Sequence, residues 1–161
     1  MTPVRGADDF EAFFATYARQ IAAIVAVTTR DLALAEDATQ EAMTRAYQRW
    51  PHVGSLSRPD IWVIGVASRL AIDGWRRRRR EVELIAGADS GQPVDMLSPL
   101  LLKWGLERLS PQERLLIVLR HRDGLSNDEI ARLLGKSPNT VAIYLKRARR
   151  RLRVFLSGAD T

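Results

Sequence analysis

The sequence predicts an all-α protein: two small helical domains joined by a flexible linker, the second carrying a helix-turn-helix. Three observations predict it. Apolar residues recur at helical spacing in three long segments before position 84, and nowhere do they alternate with the period of a strand. A stretch rich in Gly, Asp, Ser and Pro interrupts the helical pattern. Beyond it, two serine-capped helices meet at a glycine.

The first helix is expected at residues 8–27, with Phe10, Phe13, Phe14, Tyr17, Ile21 and Ile24 as its apolar stripe. The second is expected at 32–50, with Leu34, Ala38, Ala42, Ala46 and Trp50 inward. Residues 51–58 form a loop. A third helix spans 59–83, and its first half (Ile61, Trp62, Val63, Ile64, Val66, Leu70) is apolar on most sides, which predicts burial between the other two. Domain boundaries follow at 1–84 and 98–161, around a linker at 85–97. Gly87, Asp89, Gly91 and Pro93 make that linker a poor helix and a poor strand. Helix starts recur at Ser98-Pro99 and Ser110-Pro111, a capping serine followed by proline at the first helical position.

The last third is the most informative. Ser110 with Glu113, and Ser126 with Glu129, form capping boxes. Ile130, Ala131 and Leu134 give the helix after Ser126 an apolar face, and Gly135 ends it. Ser137 caps the next helix, Pro138 fits its first turn, and Val141, Leu145, Ala148 and Leu152 recur at helical spacing. Such a pair sets its second helix into the major groove of DNA. Lys146, Arg147, Arg149, Arg150, Arg151 and Arg153 follow on it, and arginine's planar fork suits phosphates and guanine edges. Asn139, Thr140, Ala142, Ile143 and Tyr144 stand nearer its start, where base edges are reached.

The chain has 161 residues, a formal net charge of +6 and a pI near 10.4, a balance that favours a polyanionic partner. The absence of cysteine excludes disulfides and thiolate metal sites and fits a reducing cytosol. With only His52 and His121, no histidine metal centre is expected, and neither is a cofactor. The first nine residues lack the apolar core of a secretory signal. No apolar run is expected to span a bilayer, so the protein is expected in the cytoplasm without membrane insertion. No glycine-rich phosphate loop and no nucleophile–histidine–carboxylate set is present, which argues against an enzyme.

Two more constellations stand out. Asp37, Gln40 and Glu41, with Thr44 beside them, fall on one face of the second helix. They suit either an arginine-rich protein surface or an ordinary solvated face with a Glu41–Arg45 pair. On the third helix Arg69, Asp73, Arg76 and Arg80 share one stripe, with Gly65 and Ser68 continuing it. The unbroken run Arg76 to Arg80 exceeds what a helix C-terminus needs for its dipole and points to nucleic acid. The aromatic set, Trp50, Trp62, Trp75 and Trp104 with Phe10, Phe13, Phe14 and Tyr47, suits either stacking on unpaired bases beside the basic residues or core packing; it is read mainly as core, with Trp75 beside the arginine run left open.

Together these residues resemble the extracytoplasmic-function (ECF) sigma factors of the sigma-70 family. Ala35-Glu-Asp-Ala-Thr-Gln-Glu-Ala-Met-Thr-Arg-Ala-Tyr47 resembles the core-binding helix of sigma region two. Trp62 to Arg79 resembles the helix that reads the promoter's minus-ten element. Leu106-Glu-Arg-Leu-Ser-Pro-Gln-Glu-Arg114 and the helix-turn-helix resemble sigma region four.

The resemblance implies that Asp37, Gln40, Glu41 and Thr44 bind the β′ coiled coil of core RNA polymerase. It implies that Ser68, Arg69, Asp73, Arg76, Arg77 and Arg80 meet promoter DNA at the minus-ten element, and that the loop at 52–58 captures a flipped base. Ser137, Asn139, Thr140, Ala142, Ile143, Lys146, Arg147 and Arg150 would meet the minus-thirty-five element. The last domain would dock on the β flap, and an anti-sigma factor is an implied partner.

The chain departs from the family pattern at Ser68-Arg69, usually an arginine–asparagine pair, and at Lys136, usually isoleucine. It also carries Ala142-Ile143-Tyr144 where basic-Ser-Arg is usual, so a different minus-thirty-five preference is expected. The competing reading is a helix-turn-helix regulator that binds DNA without being a polymerase subunit. It offers no reason for the Asp37/Gln40/Glu41 face or the arginine run.

Overall fold

The computed structural model describes residues 7–85 and 108–159, with side chains for 8–82 and 108–154. Among these residues there are seven helices: α1 (Ala7–Thr29), α2 (Leu32–Gln48), α3 (Trp50–Val53), α4 (Pro59–Ile85), α5 (Pro111–His121), α6 (Asn127–Leu134) and α7 (Pro138–Ala159). The chain divides into two compact units, Met1–Val94 and Asp95–Thr161.

In the first unit α1, α2 and α4 pack against one another. The inner stripe of α2 is small: Ala35, Ala38, Ala42 and Ala46 are buried, so neighbouring helices approach closely. Larger side chains fill the space around them, notably Phe13, Ile21, Val25, Met43, Val63 and Ile64. All five positions predicted to face inward from the second helix are buried. Thr28 and Thr29 are also buried, and their hydroxyls donate to the carbonyls of Ile24 (3.0 Å) and Val25 (3.1 Å), which satisfies them inside the helix. Arg30 closes α1 in a left-handed conformation (φ 57°), and Asp31 then caps α2 by accepting from the Leu34 N–H at 3.0 Å.

Three expectations change. The second helix stops at Gln48 rather than 50, because Arg49 leaves helical geometry (φ −115°, ψ 22°). Residues 50–53, placed mostly in a loop, form the single turn α3, where Pro51 sits in a first turn that has no use for its missing N–H. The Trp50 ring anchors that turn, 5.3 Å from Phe10 and 5.1 Å from Phe13. Finally, α1 is long and apolar enough at Asp8–Thr29 to cross a bilayer, contrary to the expectation from sequence. Its apolar side is instead packed on α2 and α4, with Phe13, Ile21, Ile24 and Val25 buried.

The helix expected at 59–83 continues to Ile85. Beyond Ile85 the expected linker lies outside the described residues, as do Ser98-Pro99 and Trp104.

The second unit is built on α5, α6 and α7. Leu115, Leu116 and Leu119 from α5 meet Ile130 and Leu134 from α6 and Val141, Leu145 and Ala148 from α7, all buried. Both predicted capping boxes are formed, at Ser110/Glu113 and at Ser126/Glu129. Gly135 adopts φ 64°, ψ 37°, and the next amide, of Lys136, donates to the Ala131 carbonyl at 2.9 Å. Ser137 Oγ then accepts from the Thr140 N–H at 3.1 Å and starts α7.

Candidate functional site

The outer face of α2 follows from its inner one. With the alanines and Met43 turned inward, helical spacing leaves Asp37, Gln40, Glu41 and Thr44 exposed together. Glu41 accepts from Arg45 Nε at 2.9 Å, and the Thr44 hydroxyl donates to the Gln40 carbonyl at 3.0 Å. Both bonds are local, so the face stays open to a partner. Tyr47 extends it. Steps of three, four and three run from Asp37 through Gln40 and Thr44 to Tyr47, which is 55% exposed with its ring edge-on to Phe10 at 5.1 Å. Sequence reasoning grouped Tyr47 with the core aromatics. The helical step count was the signal that it belonged to the outer stripe.

On α4 the structure separates residues that the sequence placed together. Arg69, Asp73, Arg76, Arg77 and Arg80 are exposed. Ser68 is 0% exposed, so the expected DNA contact there is corrected: a side chain turned wholly into the unit cannot touch a partner. Gly65 is buried as well, and its carbonyl accepts from Arg69 Nε at 3.3 Å.

The five-arginine run divides by function. Arg78 pairs with Asp31 Oδ2 while Asp31 Oδ1 caps α2, so one carboxylate ties two helices together. Arg79 lies over the Trp75 ring, 5.1 Å from its centroid, a cation–π contact. Arg77 and Arg80 have no ion-pair partner among the described residues and point their charge at solvent.

The loop before α4 ends in a clamp. Arg58 donates from Nε and NH2 to the two carboxylate oxygens of Asp60, at 3.0 and 2.8 Å. Burial alone would raise the Asp60 pKa. The bidentate guanidinium and nearby backbone amides outweigh it and hold the carboxyl below its ordinary value.

On α7 the buried stripe Val141, Leu145 and Ala148 fixes which side faces out. Asn139, Ile143, Lys146, Arg147 and Arg150 are exposed, Thr140 and Ala142 half-buried, and Ser137 exposed at the cap. Tyr144 is half-buried beneath Arg147, whose guanidinium carbon is 5.6 Å from the ring centroid. Arg151, part of the predicted basic run, turns away and donates from NH1 to Glu113 Oε2 at 3.0 Å. The outward surface over the first half of the helix is therefore a cationic stripe with one exposed branched aliphatic side chain, Ile143, in it. It can bind phosphates on its flanks and meet base edges near its start.

The family model described as Sigma-70 region 2 matches residues 13–81, and that described as Sigma-70, region 4 matches 105–152. The RNA polymerase sigma-E factor of Streptomyces avermitilis is 32% identical over 130 residues, covering 78% of this chain and 73% of that protein. The ECF RNA polymerase sigma factor SigL of Mycobacterium tuberculosis is 35% identical over 138 residues, covering 80% and 77%. The chain belongs to the ECF group of RNA polymerase sigma factors.

This sigma factor shares its fold with RpoE of Bartonella quintana, solved in complex with the anti-sigma factor NepR, at a TM-score of 0.71 and 22% identity over 94% of this chain and 98% of that one. Sigma factors are transcription initiation factors: they bind core RNA polymerase and direct it to promoter DNA. The competing reading as a free-standing regulator fails on the region 2 match, which spans the helices that reading leaves unexplained. The two halves of the match carry different faces. The region 2 part presents both the acidic stripe of α2 and the arginines of α4, and the region 4 part presents α7.

Proposed function

We propose a division of labour within the sigma factor. Residues 1–84 hold core polymerase and engage the minus-ten element, and residues 98–161 engage the minus-thirty-five element and the β flap. Asp37, Gln40, Glu41 and Thr44 meet the β′ coiled coil. Arg69, Asp73, Arg76, Arg77 and Arg80 face minus-ten DNA. Ser137, Asn139, Thr140, Ala142, Ile143, Lys146, Arg147 and Arg150 face minus-thirty-five DNA. The observation that carries this reading is the exposed acidic and amide stripe of α2 in a chain of net charge +6. An exposed stripe bearing two carboxylates repels a phosphate backbone, whereas an arginine-bearing protein partner attracts it. The protein works in the cytoplasm, carries out no chemistry of its own, and is restrained by an anti-sigma factor, as its Bartonella neighbour is bound by NepR.

The test is a titration of core polymerase with the Asp37→Ala/Gln40→Ala variant. Both side chains are exposed, so thermal unfolding should be unchanged. Affinity should fall about tenfold, the worth of one or two lost polar contacts. Wild-type affinity in the variant would reject the placement.

A further inference from the structure

Ile143 is 50% exposed on the outward side of α7. At 3.6 residues per turn it shares that side with Asn139 one turn before, Lys146 and Arg147 one turn after, and Arg150 two turns after, all exposed. Single exposed aliphatic residues are ordinary on protein surfaces. This one stands among cations that a phosphate backbone neutralises, in the half of a recognition helix that reaches base edges. Val154 is the other large exposed apolar side chain described in this unit, but it lies eleven residues on, about 16 Å along the helix axis. Ala142 is half-buried and about 100° round the helix from Ile143. In the major groove an aliphatic side chain has one apolar partner, the C5-methyl group of a pyrimidine.

We infer that Ile143 reads a 5-methylpyrimidine at one position of the minus-thirty-five element. The inference rests on the proposed seating of α7 there. An aliphatic group makes no hydrogen bond with the O4 or N4 atom that separates thymine from cytosine. Ile143 therefore accepts 5-methylcytosine as it accepts thymine, and disfavours uracil and unmodified cytosine. Cytosine methylation at that base would raise promoter affinity, a regulatory input beyond the base sequence itself.

The test uses holoenzyme reconstituted from the full chain, with a minus-thirty-five element selected from a randomised library. Duplexes carry single substitutions at each pyrimidine of the element: thymine against deoxyuridine, and 5-methylcytosine against cytosine. Each matched pair differs by one methyl group. At one position both pairs should differ about fourfold in favour of the methylated base, the worth of one buried methyl group. Ile143→Ala should bring both ratios close to one there while sequence dependence at other positions persists. Matched pairs that bind equally at every position, by wild-type holoenzyme that still selects its element, would overturn the inference. So would a methyl ratio that survives Ile143→Ala. Indifference to the sequence of the whole element would instead remove the seating of α7, and the inference with it.

Discussion

Arg151 reaches from the basic half of α7 to Glu113, NH1 to Oε2 at 3.0 Å, across 38 residues of sequence. The Glu113 side chain is only 3% exposed, and the same oxygen accepts from the Ser110 N–H at 3.1 Å at the start of α5. One carboxylate thus completes a capping box and pins the recognition helix to the helix behind it. Arg151→Ala would leave Glu113 buried without its cation. The arginine itself is half-exposed, which moderates the loss to about 1–2 kcal/mol. Urea unfolding should show this for Arg151→Ala and no change for the exposed Arg150→Ala. Equal stability of the two variants would contradict the assignment.

The arginine run of α4 makes a parallel prediction about DNA. Arg77 and Arg80 direct their charge outward, whereas Arg78 is held by Asp31. In holoenzyme–promoter titrations across several salt concentrations, Arg77→Ala and Arg80→Ala should each lower the salt slope by about 0.7–0.9, one phosphate contact apiece. Arg78→Ala should leave the slope near wild type and lower the stability of the first unit instead. A slope change for Arg78→Ala equal to that for Arg77→Ala would show that the Asp31 pair opens on DNA.

The limits of the sequence lie in these same residues. The caps at Ser110, Ser126 and Ser137 and the turn at Gly135 were legible because their hydrogen bonds close within four or five residues. The alanine stripe of α2 was legible because period alone fixes a helix's inner face. Ser68 and Arg69 are 100° apart on α4, and only the packing of α1 and α2 decides that Ser68 is inside. Arg78 and Arg151 look like every other arginine in their runs. Their partners lie 47 and 38 residues away, a pairing that local pattern does not encode.

Asp60 makes the first unit sensitive to acid. Burial opposes its ionisation, but the Arg58 clamp prevails and its carboxyl lies below the ordinary 3.8. A carboxyl with a depressed folded pKa stabilises the fold fully above its unfolded value, and that stabilisation is lost as pH falls through the folded value. The difference in urea midpoint between wild type and Asp60→Asn should therefore be constant above about pH 5 and shrink below about pH 4. A difference that stays constant down to pH 3 would refute the clamp.

Gly135 and Gly74 separate two reasons for glycine. At Gly135 the backbone is left-handed (φ 64°), yet nothing lies within 4 Å of where a Cβ would stand. Gly135→Ala therefore incurs only the conformational cost, about 1–2 kcal/mol, and Gly135→Asn less, since asparagine tolerates that region. At Gly74 no such φ applies, but an added Cβ would meet Leu34 Cδ1 at 2.7 Å, at the α2–α4 contact. Leu34 must shift there, and its flexible tip makes a small loss the expectation. The two variants should also differ in what they impair. Gly135→Ala strains the turn that sets the angle of α7, so promoter binding should weaken with core-polymerase affinity intact. Gly74→Ala perturbs the packing beneath the acidic face, so core affinity should respond first. Titrating both variants against core polymerase, and then against promoter DNA as holoenzyme, checks the pair. Loss of core affinity in Gly135→Ala with promoter binding preserved would break the link between that turn and the placement of the recognition helix.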